Sequence, residues 1–381
     1  MSVAPDKETV DILLMQEEEQ PLFKICYQCG TCTGTCPWNL VRSFSVRNIM
    51  HKAQLGLIDF GEEDIWQCAT CGACVKRCPR GVEIIDVMRS FRKIVAEMGV
   101  AKVPDSLRLS VKNIQGTGNP AGEAEENRSK WAKDAGVKTF TPDTEYLYVP
   151  CCVPAYDGKI RRMATSLTQV LAKAGVDFGV IDSGEKCCGE SVRKSGNESA
   201  FLELAQSNIQ TFSDAKKIIA TSPHCYHTFK NEYPALGAEF EPFHYTQILD
   251  QLIQDGKLTF SKEVKARVIY HDPCYLGRHN DEYEAPRRIL QAIPGVELIE
   301  FPDNRQSSIC CGGGGGRVWM ETPQGERFSE MKVEQAAEAG ADILAVACPY
   351  CMLMFDDAVL VTGKENTLQV KDISELVLQA I

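Results

Sequence analysis

Several features that would place this 381-residue sequence in a common class are missing. No apolar run is long enough to cross a membrane. The strongest candidate, "ILAVACPYCMLMF", stops at Asp356 and Asp357. A basic excess is also missing. The 41 Lys and Arg against 52 Asp and Glu leave a net charge of −11, the wrong sign for a nucleic-acid surface. The opening stretch "MSVAPDKETVDILLMQEEEQ" has neither a basic n-region nor an apolar h-region, so no signal peptide is expected. The pairs Arg161–Arg162 and Arg287–Arg288 are internal and are not twin-arginine signals. These absences lead to the expectation of a soluble cytoplasmic protein.

Cysteine, by contrast, is abundant, with 18 residues. In a cytosolic setting such cysteines are thiolate ligands rather than bridges. The first group is "CYQCGTCTGTCP", with Cys26-x2-Cys29-x2-Cys32-x3-Cys36-Pro37. The second is "CATCGACVKRCP", with Cys68-x2-Cys71-x2-Cys74-x3-Cys78-Pro79. This is the bacterial ferredoxin run, present twice. In such runs the fourth cysteine crosses to the other cluster. Cys26, Cys29, Cys32 and Cys78 are therefore assigned to one cubane [4Fe–4S] cluster. Cys68, Cys71, Cys74 and Cys36 are assigned to a second. A pair of zinc ribbons would leave the third cysteine step and the Cys-Pro ending without a use.

Between the cassettes, Val46, Ile49, Met50, Ala53 and Leu57 recur at helical spacing. After them, "EIIDVMRSFRKIVAEMG" reads as an amphipathic helix ended by Gly99. Residues 1–100 are thus expected to form a helical ferredoxin domain. Residues 101–145 carry Gly, Pro and charge with little periodicity and read as an extended linker, unless Trp131 docks one domain on the next.

The rest of the chain is duplicated. "YLYVPCCVPAYD" answers "VIYHDPCYLGRH", "GEKCCGESVRKSG" answers "SSICCGGGGGRVW", and "AKKIIATSPHCYHTF" answers "ADILAVACPYCMLMF". Short apolar strands alternate with helices in each copy, which implies parallel sheets. The fold class expected is multidomain α+β: the ferredoxin domain, then two α/β modules, 146–260 and 261–381, about a pseudo-twofold. Function in such sheets sits at the carboxyl ends of strands, where the cysteines fall.

The second copy offers five thiols: Cys274, Cys310, Cys311, Cys348 and Cys351. The glycine run Gly312–Gly316 is not a dinucleotide fingerprint, because Arg317 stands where the last glycine would fall. A steric reading is better. Gly312 and Gly313 would let the backbone close on a bulky cluster and aim N–H groups at sulfur, with Arg317 beside it. In the first copy Cys187, Cys188 and Cys225 are kept, but Ser222 stands at the place of Cys348. The leading position is either Cys151 or Cys152, Cys152 by its distance to the pair. That module could hold a cluster, a zinc ion, or nothing. His271, Arg278 and His279 flank Cys274 and could move protons or orient a substrate. A surface or supporting role is their plainer reading.

This order of motifs resembles the D-type subunits of heterodisulfide reductases, in which a two-cubane domain precedes duplicated cysteine-rich CCG domains. The stretch "QLGLIDFGEEDIWQCATCGACVKRCPRGVEIIDVMRSF" is similar to the C-subunit pattern. The resemblance extends to the K subunit of sulfate-reducer redox complexes. It implies a noncubane [4Fe–4S] cluster on Cys274, Cys310, Cys311, Cys348 and Cys351. It implies reduction of a small-molecule or protein-borne disulfide. The implied partner is a membrane cytochrome b-type or other quinone-linked subunit, which would hold the chain on the inner face of a membrane. The same domain in iron–sulfur subunits of glycolate and lactate oxidases implies an alternative. There the chain only carries electrons between a flavoprotein and quinone.

Overall fold

The computed structural model describes residues 6–15 and 23–381. Two four-stranded sheets hold its carboxyl-terminal two thirds. The first contains β1 (Tyr146–Val149), β2 (Phe178–Gly179), β3 (Lys217–Ala220) and β4 (Glu241–His244), in the order β2-β1-β3-β4. The second contains β5 (Ala266–Tyr270), β6 (Val296–Ile299), β7 (Ile343–Val346) and β8 (Gln369–Asp372), in the order β6-β5-β7-β8. All pairings between these strands are parallel. The central strands are buried on both faces, so "LYV" and "ILAV" are continuous apolar runs rather than alternating ones. The expected duplication is therefore present as two copies of one topology.

The copies pack reciprocally. The helix Arg161–Lys173 lies on Ile373–Ala380, and Glu284–Ala292 lies on Tyr245–Gln254. Each contact joins the first crossover helix of one module to the last helix of the other, as a pseudo-twofold requires. Arg162 reaches Glu375 at 3.3 Å, and Arg288 reaches Asp250 at 2.6 Å, closing the two contacts with similar ion pairs.

The amino-terminal domain is helical. Ser45 caps the helix Val46–Leu55 by accepting from the Asn48 N–H at 3.2 Å. The helix Ile84–Met98 buries Ile84, Val87, Met88, Phe91, Ile94 and Val95 along one face. Gly56 and Gly99 end these helices, so Leu57 falls beyond the first of them.

The segment read as an extended linker is not extended. Asp105–Thr117 is a helix and Lys130–Asp134 a shorter one. Leu107, Val111 and Ile114 form an apolar stripe at helical spacing that a reading of composition overlooks, and all three are buried. Trp131 is buried edge-on to Tyr148, with ring centroids 6.2 Å apart. Among the described residues, no helix is long and apolar enough to cross a membrane.

Candidate metal centres

The two ferredoxin cassettes fold alike. Gln28 and Thr70 take positive φ at 67° and 49°, and Gly30 and Gly72 follow in the left-handed region. These turns curl each C-x2-C-x2-C loop around a hollow. One hollow is lined by Cys26, Cys29, Cys32 and Cys78, the other by Cys36, Cys68, Cys71 and Cys74. The fourth cysteine of each run thus crosses to the other loop. Apolar walls, including Trp38, Phe44 and Met88 in the second hollow, exclude water. Eight thiols in two apolar cradles fit two cubane clusters.

In the second module, β5, β6 and β7 each end in a loop that carries thiols. Cys274 follows β5, Cys310 and Cys311 follow β6, and Cys348 caps the helix Pro349–Val361 after β7. The five thiols form one continuous chain of contacts. Cys274 Sγ lies 3.8 Å from Cys310 Sγ, and Cys311 Sγ lies 3.4 Å from Cys351 Sγ. Cys310 also meets Cys311, and Cys351 meets Cys348. Burial opposes ionisation of Cys348, but hydrogen bonds from Cys351 and His224 outweigh it and bring the thiol down to about 6. The helix amino terminus adds to this preference for thiolate.

The first module repeats the chain: Cys152 with Cys187, Cys187 with Cys188, Cys188 with Cys225, and Cys225 with Cys151. Strand register resolves which leading cysteine is equivalent to which. Tyr148 pairs with Ile219 and Tyr270 with Ala345, so Cys152 superposes on Cys274 and Cys151 on Pro273. The set that looked incomplete has five thiols after all. Ser222 does stand where Cys348 stands, and its Oγ accepts from the His224 N–H at 3.2 Å. Cys151 fills the vacancy from a different strand end, at the expense of an unfavourable φ of 75°. Arg128 donates to Cys152 Sγ at 3.3 Å and pairs with Glu185, all three buried. The adjacency of Cys151 and Cys152 was the available sequence signal. Arg128 had none, because it lies in the segment read as linker.

Other expectations need correction. Gly312 does donate its N–H to Cys310 Sγ at 3.3 Å. A Cβ on Gly313 would sit 3.2 Å from Met354. Gly314 and Gly315 face the ferredoxin domain, and Gly316 faces Leu107. A Cβ on Gly314 would lie 2.3 Å from the Ala69 carbonyl oxygen, and one on Gly315 would lie 2.6 Å from that of Cys68. Gly314 and Gly315 thus admit the second ferredoxin loop. Arg317 stacks on Trp38 at 4.8 Å and donates to the Trp66 carbonyl at 3.2 Å, so it too belongs to the junction. The ring of His279 meets the Thr70 carbonyl at 2.9 Å, not the thiols. Arg278 donates to the Cys71 carbonyl at 2.7 Å. His271 joins the site, with one ring nitrogen and the Cys311 and Cys351 sulfurs all within 4.8 Å of one another, and the Arg278 guanidinium lies beside the Cys71, Cys274 and Cys310 thiols.

Two junctions connect the centres. The thiols of Cys71 and Cys310 face each other, and Cys310 brings the Cys71 thiol down to about 6. His224, from the first module, reaches the Cys348 thiol in the second and lies 3.2 Å from Glu190. Burial works against its cation, but Glu190 and Cys348 hold its pKa well above the usual range. Sequence reading missed His224, whose role depends on the packing of one module on the other.

Comparison with known proteins agrees with this construction. A 4Fe-4S dicluster domain matches residues 25–83, and a cysteine-rich domain, CCG, matches residues 146–230 and 268–356. The chain is 29% identical to the D-type subunit of the dihydromethanophenazine:CoB–CoM heterodisulfide reductase of Methanosarcina barkeri, with 93% of both chains covered. It is a homologue of the D-type heterodisulfide reductase subunits. Within this wider family it is 36% identical to the probable iron–sulfur-binding oxidoreductase FadF of Bacillus subtilis. It is 34% identical to the EtfAB:quinone oxidoreductase of Syntrophomonas wolfei. Each of these two alignments covers 84% of this chain and 47% of the relative, so the chain spans about half their length. A crystal structure of a hypothetical protein from Helicobacter pylori shares the fold, with a TM-score of 0.53 at 10% identity. That match covers 99% of this chain and 79% of the other. These relatives are iron–sulfur oxidoreductases and electron-transfer proteins by name.

Proposed function

We propose that electrons run from the first cubane site to the second, and from there into the five-thiol site of the second module, where a disulfide is reduced. The observation that carries this reading is the contact of Cys71 with Cys310, a ligand thiol of one centre against a ligand thiol of the next. Cys274, Cys310, Cys311, Cys348 and Cys351 would hold a noncubane [4Fe–4S] cluster. Such a cluster, when bound, handles sulfur in one-electron steps, so single electrons can serve a two-electron, two-proton cleavage of one disulfide to two thiols. Cys151, Cys152, Cys187, Cys188 and Cys225 would hold its counterpart.

The chain's own residues prepare the site. Tyr275 and Tyr350 wall the junction, and the Tyr350 hydroxyl is 3.2 Å from that of Ser191. A narrow cleft lined by Trp38, Arg317, Arg327 and Met354 leads to Cys311. A membrane quinone-linked or cytochrome b-type subunit on the inner face would supply the electrons.

A second reading rests on the relatives named FadF and EtfAB:quinone oxidoreductase, which are more similar than the reductase subunits. In it the same wire carries electrons between a flavoprotein and quinone, and no disulfide is cleaved. Anaerobic purification with iron and sulfide analysis, then EPR of the oxidised protein with added thiol, separates the readings. A thiol-dependent paramagnetic signal, lost in Cys310→Ala while the cubane signals stay, is expected. Iron for two cubanes only, about eight per chain, would end the proposal. A full iron complement with no response to any thiol would favour the second reading.

A further inference from the structure

We infer that His271 is a sixth protein ligand of the second-module cluster and makes the two cysteine-rich sites electronically unequal. The inference rests on the cluster reading above and adds an iron–nitrogen bond to it.

His271 follows β5 directly and is fully buried. Neither ring nitrogen has a conventional hydrogen-bond partner; the polar neighbour of the ring is the Cys311 thiol. A buried imidazole with both nitrogens unpaired is costly. The edge of Phe355, with centroids 4.7 Å apart, holds the ring in place rather than satisfying it. One explanation removes the cost: a metal ion between the ring nitrogen and the Cys311 and Cys351 sulfurs. Those three donor atoms already lie within 4.8 Å of one another, the spread expected of ligands on one centre.

The duplicated fold supplies an internal comparison. The register that places Tyr148 on Tyr270 places Val149 on His271. The first module therefore has an apolar side chain where the second has imidazole, and it has Cys151 where the second has Pro273. Both sites have five thiols, but the second alone adds a neutral nitrogen donor. A nitrogen donor present in one cluster and absent from the other makes the two unequal, and an anionic thiolate in place of the neutral imidazole would lower the potential of the second. The second-module cluster is also the one beside Cys71.

The test is pulsed EPR on the full cluster-loaded protein grown with ¹⁵N-histidine, which needs no substitution. A strong ¹⁵N coupling in the noncubane signal is expected. It should vanish in His271→Gln and persist in His224→Gln, which removes the other imidazole near the site. In His271→Cys the cluster should remain, the coupling should disappear, and the potential should fall. A noncubane signal carrying only exchangeable-proton coupling would make His271 a hydrogen-bond donor to sulfur and overturn the inference while leaving the cluster reading intact. Absence of any noncubane signal would overturn both.

Discussion

The thiol of Cys71, in the second ferredoxin loop, faces the thiol of Cys310, in the second cysteine-rich module. These residues are more than two hundred positions apart in the chain. They meet because the glycine run lets the backbone at Ala69 and Cys68 approach. Arg92 then fastens the junction. Its buried guanidinium donates to the carbonyls of Ile65, Cys68, Lys194 and Gly315, at 2.7–3.1 Å. One side chain thereby ties the ferredoxin domain to both modules.

Gly314→Ala should loosen this junction. Its new Cβ would meet the Ala69 carbonyl oxygen at 2.3 Å, and neither backbone can give easily. A loss of about 1–3 kcal/mol is expected from overpacking, along with slower reduction of the second-module site in stopped-flow. Gly158→Ala, with nothing within 4 Å, is the control. Equal melting temperatures and equal reduction rates for the two variants would contradict the docking role.

Cys36→Ser and Cys78→Ser should each damage the cubane of the opposite cassette. Cys36 lines the hollow of Cys68, Cys71 and Cys74, whereas Cys78 lines that of Cys26, Cys29 and Cys32. EPR of the reduced proteins should show a different cubane altered in each case. Damage confined to a residue's own cassette would refute the crossing.

Cys151 offers a test of strain at the first site. Both Cys151→Gly and Cys151→Ala remove the thiol and should lower iron in the first module alone. Only glycine suits φ 75° without strain. The glycine variant should therefore be the more stable apo-protein, by about 1 kcal/mol, in chemical denaturation. The opposite order would show that the backbone is not strained there.

Lys332 predicts a pH dependence. Its ammonium is buried over the Phe301 ring at 3.3 Å, and burial lowers its pKa to about 7. In the unfolded chain it stays protonated to about 10.4. Between these values the unfolded state binds the extra proton, so stability should rise with pH across that window. Lys332→Met should flatten the rise in urea denaturation measured from pH 7 to 9. An unchanged slope would mean that Lys332 is not the group responsible.

Much of the site was legible because metal ligation imposes spacing on the chain itself. The cysteines that line the two hollows lie within short loops, so a regular C-x2-C-x2-C-x3-C-P run already groups them. The parallel sheets were legible too, since strands buried on both faces must be continuously apolar, as in β3 and β7. The packed helix Asp105–Thr117 was not, because three apolar residues among charged ones carry weight only when a surface is there to receive them.

By itself, the sequence determined the two ferredoxin loops, the duplicated α/β modules and the five thiols of the second copy. All of these follow from local spacing and from repetition. The tertiary structure decided the rest. It put Cys151 in the place left by Ser222, turned Gly314 and Gly315 toward the ferredoxin loop, and brought His224 to Cys348. It also left both nitrogens of His271 unpaired against Cys311. Each of these is a meeting of residues from separate elements, and the chain's local preferences carry no record of which surfaces will pack together.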